Sequence, residues 1–210
     1  MSPAARPSEH WSQLADLVFE TGMLSRTPRS GWGVLRAPGQ DVAQHSHRAA
    51  VIALSLAETM RQRGDAIDPA KAAAIALVHD LPETRTTDLH KLAKRYVSVD
   101  VERAIEDQTA GTPAGALIAS LARSYESNDS AEARCAHDAD QLELLACLVE
   151  LRDAGALTAD RFSQWTEGAI GRLCTEDGRA LADAILAGDP GAWAHRPEPG
   201  AGDSLDTNGE

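Results

Sequence analysis

An all-α fold in a single domain is what this sequence predicts. Apolar residues recur at helical spacing in about eight segments along the chain. Aromatic residues make up only 4% of the sequence, and alanine and leucine dominate its apolar set. That composition favours close-packed helices over strands of β-branched residues. A length of 210 residues suits one well-packed core, with nothing suggesting a second.

The periodic segments fall near 9–23, 42–63, 69–80, 98–109, 113–125, 130–153, 158–171 and 178–187. Turn-forming stretches separate them: SRTPRSGWG at 25–33, RGDAIDP at 63–69, AGTPAG at 110–115 and SNDS at 127–130. Ser130 and Thr158 stand where helix N-caps are expected. From Gly188 onward the chain is rich in Gly, Pro and acid, and has too few apolar residues to offset the entropy of ordering itself. The expected domain is therefore 1–195, with its core over about 12–188, followed by a disordered tail at 196–210.

Charge and cysteine usage narrow the function classes. The formal net charge is −12, which would repel a phosphate backbone unless a basic patch overrode it, and the sequence shows no basic cluster. A nucleic acid polymer is therefore not an expected partner. Cys135, Cys147 and Cys174 lack CxxC spacing and read as buried thiols of a cytoplasmic protein. No secretory h-region opens the chain, and no apolar run is long enough to span a bilayer, so no membrane partner is expected.

Polar residues interrupt the apolar stripes at three places. On the 42–63 segment, Ala49, Ile52, Leu56 and Met60 trace one helix face, and His45 lies on it. On the next segment Ala72, Ile75 and Ala76 lead to His79, with Asp80 beside it. Asp140 fills a gap in the stripe Ala133, Ala136, Leu144, Cys147, Leu151. A carboxylate in an apolar stripe costs about several kcal/mol unless it is paired or binds a metal. The nearest basic residues considered as partners, Arg48 and Arg134, fall off these stripes. Two imidazoles and two carboxylates suit one divalent transition ion, such as Mn, Co, Fe, Ni or Zn, better than Ca or Mg.

The ordered set His45 in DVAQHS, His79-Asp80 in ALVHDLPE and Asp140 in DADQLE resembles the H…HD…D signature of HD-domain metal-dependent phosphohydrolases. Within that family the chain is similar to the 5′-deoxynucleotidase-like branch. There HD is followed by Glu, four residues and Asp-Leu or Asp-Ile, matched here from Glu83 to Asp88-Leu89. PRSGW, residues 28–32, resembles the branch's Arg-and-Trp stretch ahead of the first histidine helix. The likeness covers roughly residues 12–152. Two positions depart from the pattern: Thr87 stands where the family usually has Gly, and HKLAKRYV lacks the prolines often seen after the second acid.

The resemblance implies a helical HD-domain bundle in which His45, His79, Asp80 and Asp140 hold one metal between core helices. It implies Glu83 as general acid or base and Asp88 as a residue that orients the attacking water or contacts the sugar. Arg29 would bind phosphate, Lys94 could add a second positive charge, and Trp32 offers either a flat face for base or sugar or ordinary packing. The implied activity is release of phosphate from nucleoside 5′-monophosphates, deoxynucleotides or related analogues, by a cytoplasmic homodimer. PRSGW supplies one guanidinium, and no glycine-rich cradle is present for a longer polyphosphate. Two alternatives remain at this point. A di-iron oxygenase of the same fold would need further histidines, for which His90 and His137 are available between Asp80 and Asp140. A non-catalytic nucleotide-binding module would have no use for Glu83. His47, two residues from His45, is expected on the other side of its helix.

Overall fold

The computed structural model describes residues 9–195. The tail expected at 196–210 lies outside the described residues, as do the first eight positions of the expected domain. Ten α-helices run through the described residues: α1 (Glu9–Thr21), α2 (Gly31–Leu35), α3 (Val42–Arg63), α4 (Pro69–Val78), α5 (Glu83–Thr86), α6 (Val101–Thr109), α7 (Gly115–Ser127), α8 (Ala131–Asp153), α9 (Ala159–Ile170) and α10 (Glu176–Ala187). No strand lies among the described residues; one isolated bridge joins Pro28 to Asp41. The all-α expectation holds.

Side-chain caps decide where the long helices begin. Asp41 accepts from the Gln44 N–H at 2.8 Å to open α3, and Ser130 accepts from the Ala133 N–H at 3.0 Å to open α8. Asp68, Asp100, Thr158 and Thr175 do the same for α4, α6, α9 and α10. Gly64, with φ 108°, ends α3 in a left-handed conformation that other residues adopt at a cost. The short helices α2 and α5 were not foreseen, because four or five residues do not span enough turns to display a period. α4 stops at Val78 rather than 80, so His79 and Asp80 emerge just beyond its last full turn.

Most of the core lies where α3, α4 and α8 meet, extended on one side by α9 and α10. Ala53, Ala57, Ala72, Ala76, Ala136 and Ala139 let these helices approach closely, while Leu56, Ile75, Leu142, Leu145 and Leu148 fill the space between them. Each large aliphatic so buried contributes about 1.5–3 kcal/mol. A smaller apolar cluster, Leu24, Val42, Leu81, Ile105, Ala119 and Ala122, lies beneath α6 and α7. Val78 packs against both clusters, which puts its neighbour His79 on the seam between them.

Two expectations need adjustment. Cys135 and Cys147 are buried, but Cys174 is only half-buried. On α8 the fully enclosed Asp138 is a carboxylate that the apolar-stripe reading passed over. It accepts from the Cys174 and Thr175 N–H groups at 2.6 and 3.0 Å, so it anchors the start of α10 and stands apart from the metal-type residues. A Cβ at position 178 would run into this carboxylate, which is why Gly178 is needed there. No helix among the described residues is long and apolar enough to cross a membrane.

Candidate metal centre and its cleft

His45 lies near the start of α3 on its buried face, and nothing of its side chain is exposed. Its Nδ1 is 2.6 Å from Glu143 Oε2, and its Nε2 faces Asp140 Oδ1 at 3.2 Å. His79 turns its Nδ1 onto the Ala76 carbonyl at 2.7 Å. A carbonyl only accepts, so His79 Nδ1 carries a proton, and its Nε2 is the ring nitrogen turned toward the carboxylates. That Nε2 lies 3.2 Å from Asp80 Oδ2, and His45 Nε2 lies 3.6 Å from the same oxygen. Donor atoms of His45, His79 and Asp140 all fall within 4.8 Å of one another. The contact of His45 Nε2 with Asp140 lacks hydrogen-bond alignment, which leaves that nitrogen enclosed and unsatisfied. A buried imidazole nitrogen that makes no hydrogen bond, facing a carboxylate and beside a second imidazole, fits a divalent transition ion.

Positive charge reaches these carboxylates from Arg29, in the loop before α2. Its Nη1 binds Asp80 Oδ2 at 2.8 Å, its Nη2 lies 3.8 Å from Asp140, and its Nε lies 4.0 Å from Asp88. Burial pushes the Asp80 carboxyl up, but His79 and Arg29 outweigh it and hold the group well below the ordinary range. Asp140 is likewise depressed, by His45, His79 and Arg29 against the effect of burial. Burial disfavours a charged His45, yet the Asp140 and Glu143 carboxylates raise it to about 9. Arg48, set aside as off the stripe, pairs instead with Glu143 at 2.8 Å and Glu150 at 2.6 Å.

Glu83 opens α5 at the edge of the same cleft, with Oε2 buried and unpartnered. Burial first, and then the Asp80 and Asp88 charges, raise its carboxyl to about 8. Asp88 accepts from the Ser30 N–H at 2.7 Å, tying the loop after α5 to the Arg29 loop. Between the two acids, Thr87 sits at φ 59° and ψ 160°, a conformation largely restricted to glycine. The Gly-to-Thr departure at this position therefore carries backbone strain.

Lys94 is an exposed residue on the cleft wall. Trp32 is 5% exposed, packs on Gly39 and shows only a small part of itself to the cleft. His47 is exposed, His90 lines the cleft, and His137 stacks on Tyr125 with ring centroids 3.9 Å apart. The cleft measures about 680 Å³ and gathers on its walls Lys91 and Lys94, three apart in sequence, with Arg29 and Arg172 brought from distant parts of the chain.

Glu143, Tyr125, Trp165 and Arg172 are among the lining residues that the sequence reading does not single out. Glu143 follows Asp140 by three positions on α8 and shares its face, a spacing that was available in DADQLE. Tyr125 donates from its hydroxyl to Asp140 Oδ2 at 3.1 Å and lies 4.6 Å from the His79 ring. Trp165 and Arg172 come from α9 and the turn after it, beyond the segment in which motifs were recognised. For Tyr125, Trp165 and Arg172 no local sequence signal exists.

The chain is similar to known proteins over most of its length. The profile of the HD domain matches residues 21–168. The chain is 28% identical over 139 residues to the human 5′-deoxynucleotidase HDDC2, an alignment covering 63% of this chain and 65% of that protein. It thus spans just under two thirds of that curated relative's length. A conserved hypothetical protein from Pyrococcus furiosus superposes with a TM-score of 0.70 at 29% identity, over 81% of this chain and 98% of the other. A predicted metal-dependent phosphohydrolase from Magnetospirillum magnetotacticum, at 21% identity and a TM-score of 0.58, covers 84% of this chain and 95% of its own and shares the fold.

Proposed function

The chain belongs to the HD-domain family, and from that premise we propose that it is a metal-dependent phosphomonoesterase acting on nucleoside 5′-monophosphates, deoxynucleotides or close analogues among them. The observation that carries the reading is the convergence of His45, His79 and Asp140 donor atoms within 4.8 Å at a cleft that also holds Arg29 and Glu83. The described residues bring together one such donor group, the number a single-ion enzyme needs. His45, His79, Asp80 and Asp140 would hold the ion. When bound, a divalent transition ion supplies Lewis acidity toward a phosphoryl oxygen and toward a water.

The chain's own residues do the rest. The Nδ1 contacts of His45 with Glu143 and of His79 with the Ala76 carbonyl aim both Nε2 atoms toward the same point. Arg29 counters phosphoryl charge with a planar fork already lodged among Asp80, Asp88 and Asp140. Glu83, its carboxyl raised to about 8, keeps a proton at neutral pH to deliver to the leaving 5′-oxygen. Asp88, fixed by the Ser30 N–H, orients the attacking water or the sugar. Lys94 adds a positive charge at the rim, and Trp32 backs the Arg29 loop. A cleft of about 680 Å³ is roomy enough for a nucleotide. The reading includes a cytoplasmic homodimer acting on free nucleotides, for which sedimentation tests the assembly.

The experiment is phosphate release from a panel of nucleoside mono- and triphosphates, with metal analysis of the same preparation. One bound divalent ion and preference for monophosphates are expected. Equal turnover of a triphosphate and its monophosphate, or full activity in demetallated protein, overturns the proposal.

A further inference from the structure

Catalytic residues occupy one part of the cleft; α9 and the turn after it build another wall, from Trp165, Gly168 and Arg172. Gly168 stands in the last turn of α9, two residues before its end at Ile170, still at a helical position where glycine is less favourable than any residue but proline. Close packing does not explain it. Gly178 leaves room for the Asp138 carboxylate, whereas a Cβ at 168 would meet only Arg172 Nη1, at 3.7 Å. What the missing side chain leaves open is the cleft.

Trp165 borders that opening. Its ring rests on Gly31, where a Cβ would stand 3.4 Å from Cη2, and runs at 18° to Trp32 with centroids 6.4 Å apart. Half-buried, it keeps part of its surface on the cleft. Arg172 is oriented from the metal-type residues outward: Gln141 Nε2 donates to Asp140 Oδ2 at 2.6 Å, and Arg172 Nε donates to Gln141 Oε1 at 2.6 Å. Its terminal amino groups have no acceptor among the described residues, in a chain with net charge −12 where carboxylates are plentiful. A guanidinium anchored through Nε and otherwise unpaired presents a flat pair of donors.

We propose that this wall is the nucleobase subsite and that it selects 6-oxopurines, with the base over Gly168 against Trp165 and its O6 and N7 acceptors on Arg172. Guanine offers two acceptors along that edge, while adenine places an amino donor there, which an arginine cannot satisfy. The proposal rests on the reading above, in which the phosphate end of a nucleoside monophosphate lies toward Arg29.

The test separates base recognition from hydrolysis. Calorimetry with chelator present, so that no turnover occurs, measures dGMP and dAMP binding to the full chain and to its Arg172→Ala and Gly168→Leu variants. Phosphate release with metal is measured in parallel from dGMP, dAMP and 2-deoxyribose 5-phosphate. Wild type should bind dGMP about tenfold or more tightly than dAMP. Arg172→Ala should erase that preference. Gly168→Leu should weaken both nucleotides and lower the dGMP-to-deoxyribose-phosphate specificity ratio by about tenfold or more. Equal binding of the two nucleotides by wild type, or a preference that survives Arg172→Ala, overturns the subsite even if Gly168→Leu does not fold. Nucleotide hydrolysis without this pattern leaves the phosphatase reading standing and removes the subsite; the binding pattern without hydrolysis does the reverse.

Discussion

Thr87→Gly should make this protein more stable, contrary to the usual effect of introducing glycine. At φ 59° and ψ 160° a β-branched residue pays about 1–3 kcal/mol in backbone strain. Thr87 is exposed, and its hydroxyl makes no hydrogen bond among the described residues, so the substitution removes no hydrogen bond. Against the relief stands the greater freedom of glycine in the unfolded chain, about 0.4–1 kcal/mol. The net gain is then about 1 kcal/mol, or ~2–4 °C in Tm for a chain of this size. Thermal unfolding of the chelated wild type and variant, followed by circular dichroism, measures it. Because the Ser30 N–H holds Asp88 independently at 2.7 Å, phosphate release should change little. A Tm that is unchanged or lower would refute the strain argument. A higher Tm with a large loss of turnover would instead show that the strain itself aims Asp88.

Three further outcomes are expected. His79→Ala should lose the divalent ion and all phosphate release, whereas Glu83→Ala should retain the ion, measured by metal analysis, and lose about 10²–10⁴-fold in turnover. Glu143→Ala should weaken metal affinity about 10–100-fold, read by titration against a chelating indicator, because it removes the partner that orients His45 at 2.6 Å. The chelated protein should lose stability as pH rises from about 4.5 through about 8, since folded Glu83 holds a proton in that window that the unfolded chain has released; Glu83→Gln should flatten this part of the denaturation profile.

Helical periodicity already placed His45, His79 and Asp140 on core-facing stripes of three helices, and the structure finds their donor atoms together. This was legible because a stripe is a local property: residues three and four apart share a face whatever the rest of the chain does. The caps Ser130 and Thr158 were legible for the same reason. Glu143 obeyed the same spacing and was overlooked beside Asp140.

What only the tertiary structure decided depends on residues far apart in sequence. Arg29 reaches Asp80 across 51 positions, and Arg48 reaches Glu143 across 95, so neither pairing could be assigned from helix faces. Tyr125 meets Asp140 because α7 and α8 turn back on each other, and Trp165 and Arg172 reach the cleft because α9 packs on α8. Thr87 was visible as a departure from the pattern, but its positive φ was not, since a backbone angle there is imposed by joining α5 to an Asp88 held on the Ser30 N–H. Local spacing determined which helix face each ligand-type residue occupies, because helix geometry repeats every few residues. Which charges meet, and which wall a substrate would touch, was decided by helix packing, in which core burial brings distant segments together with no periodic trace in the sequence.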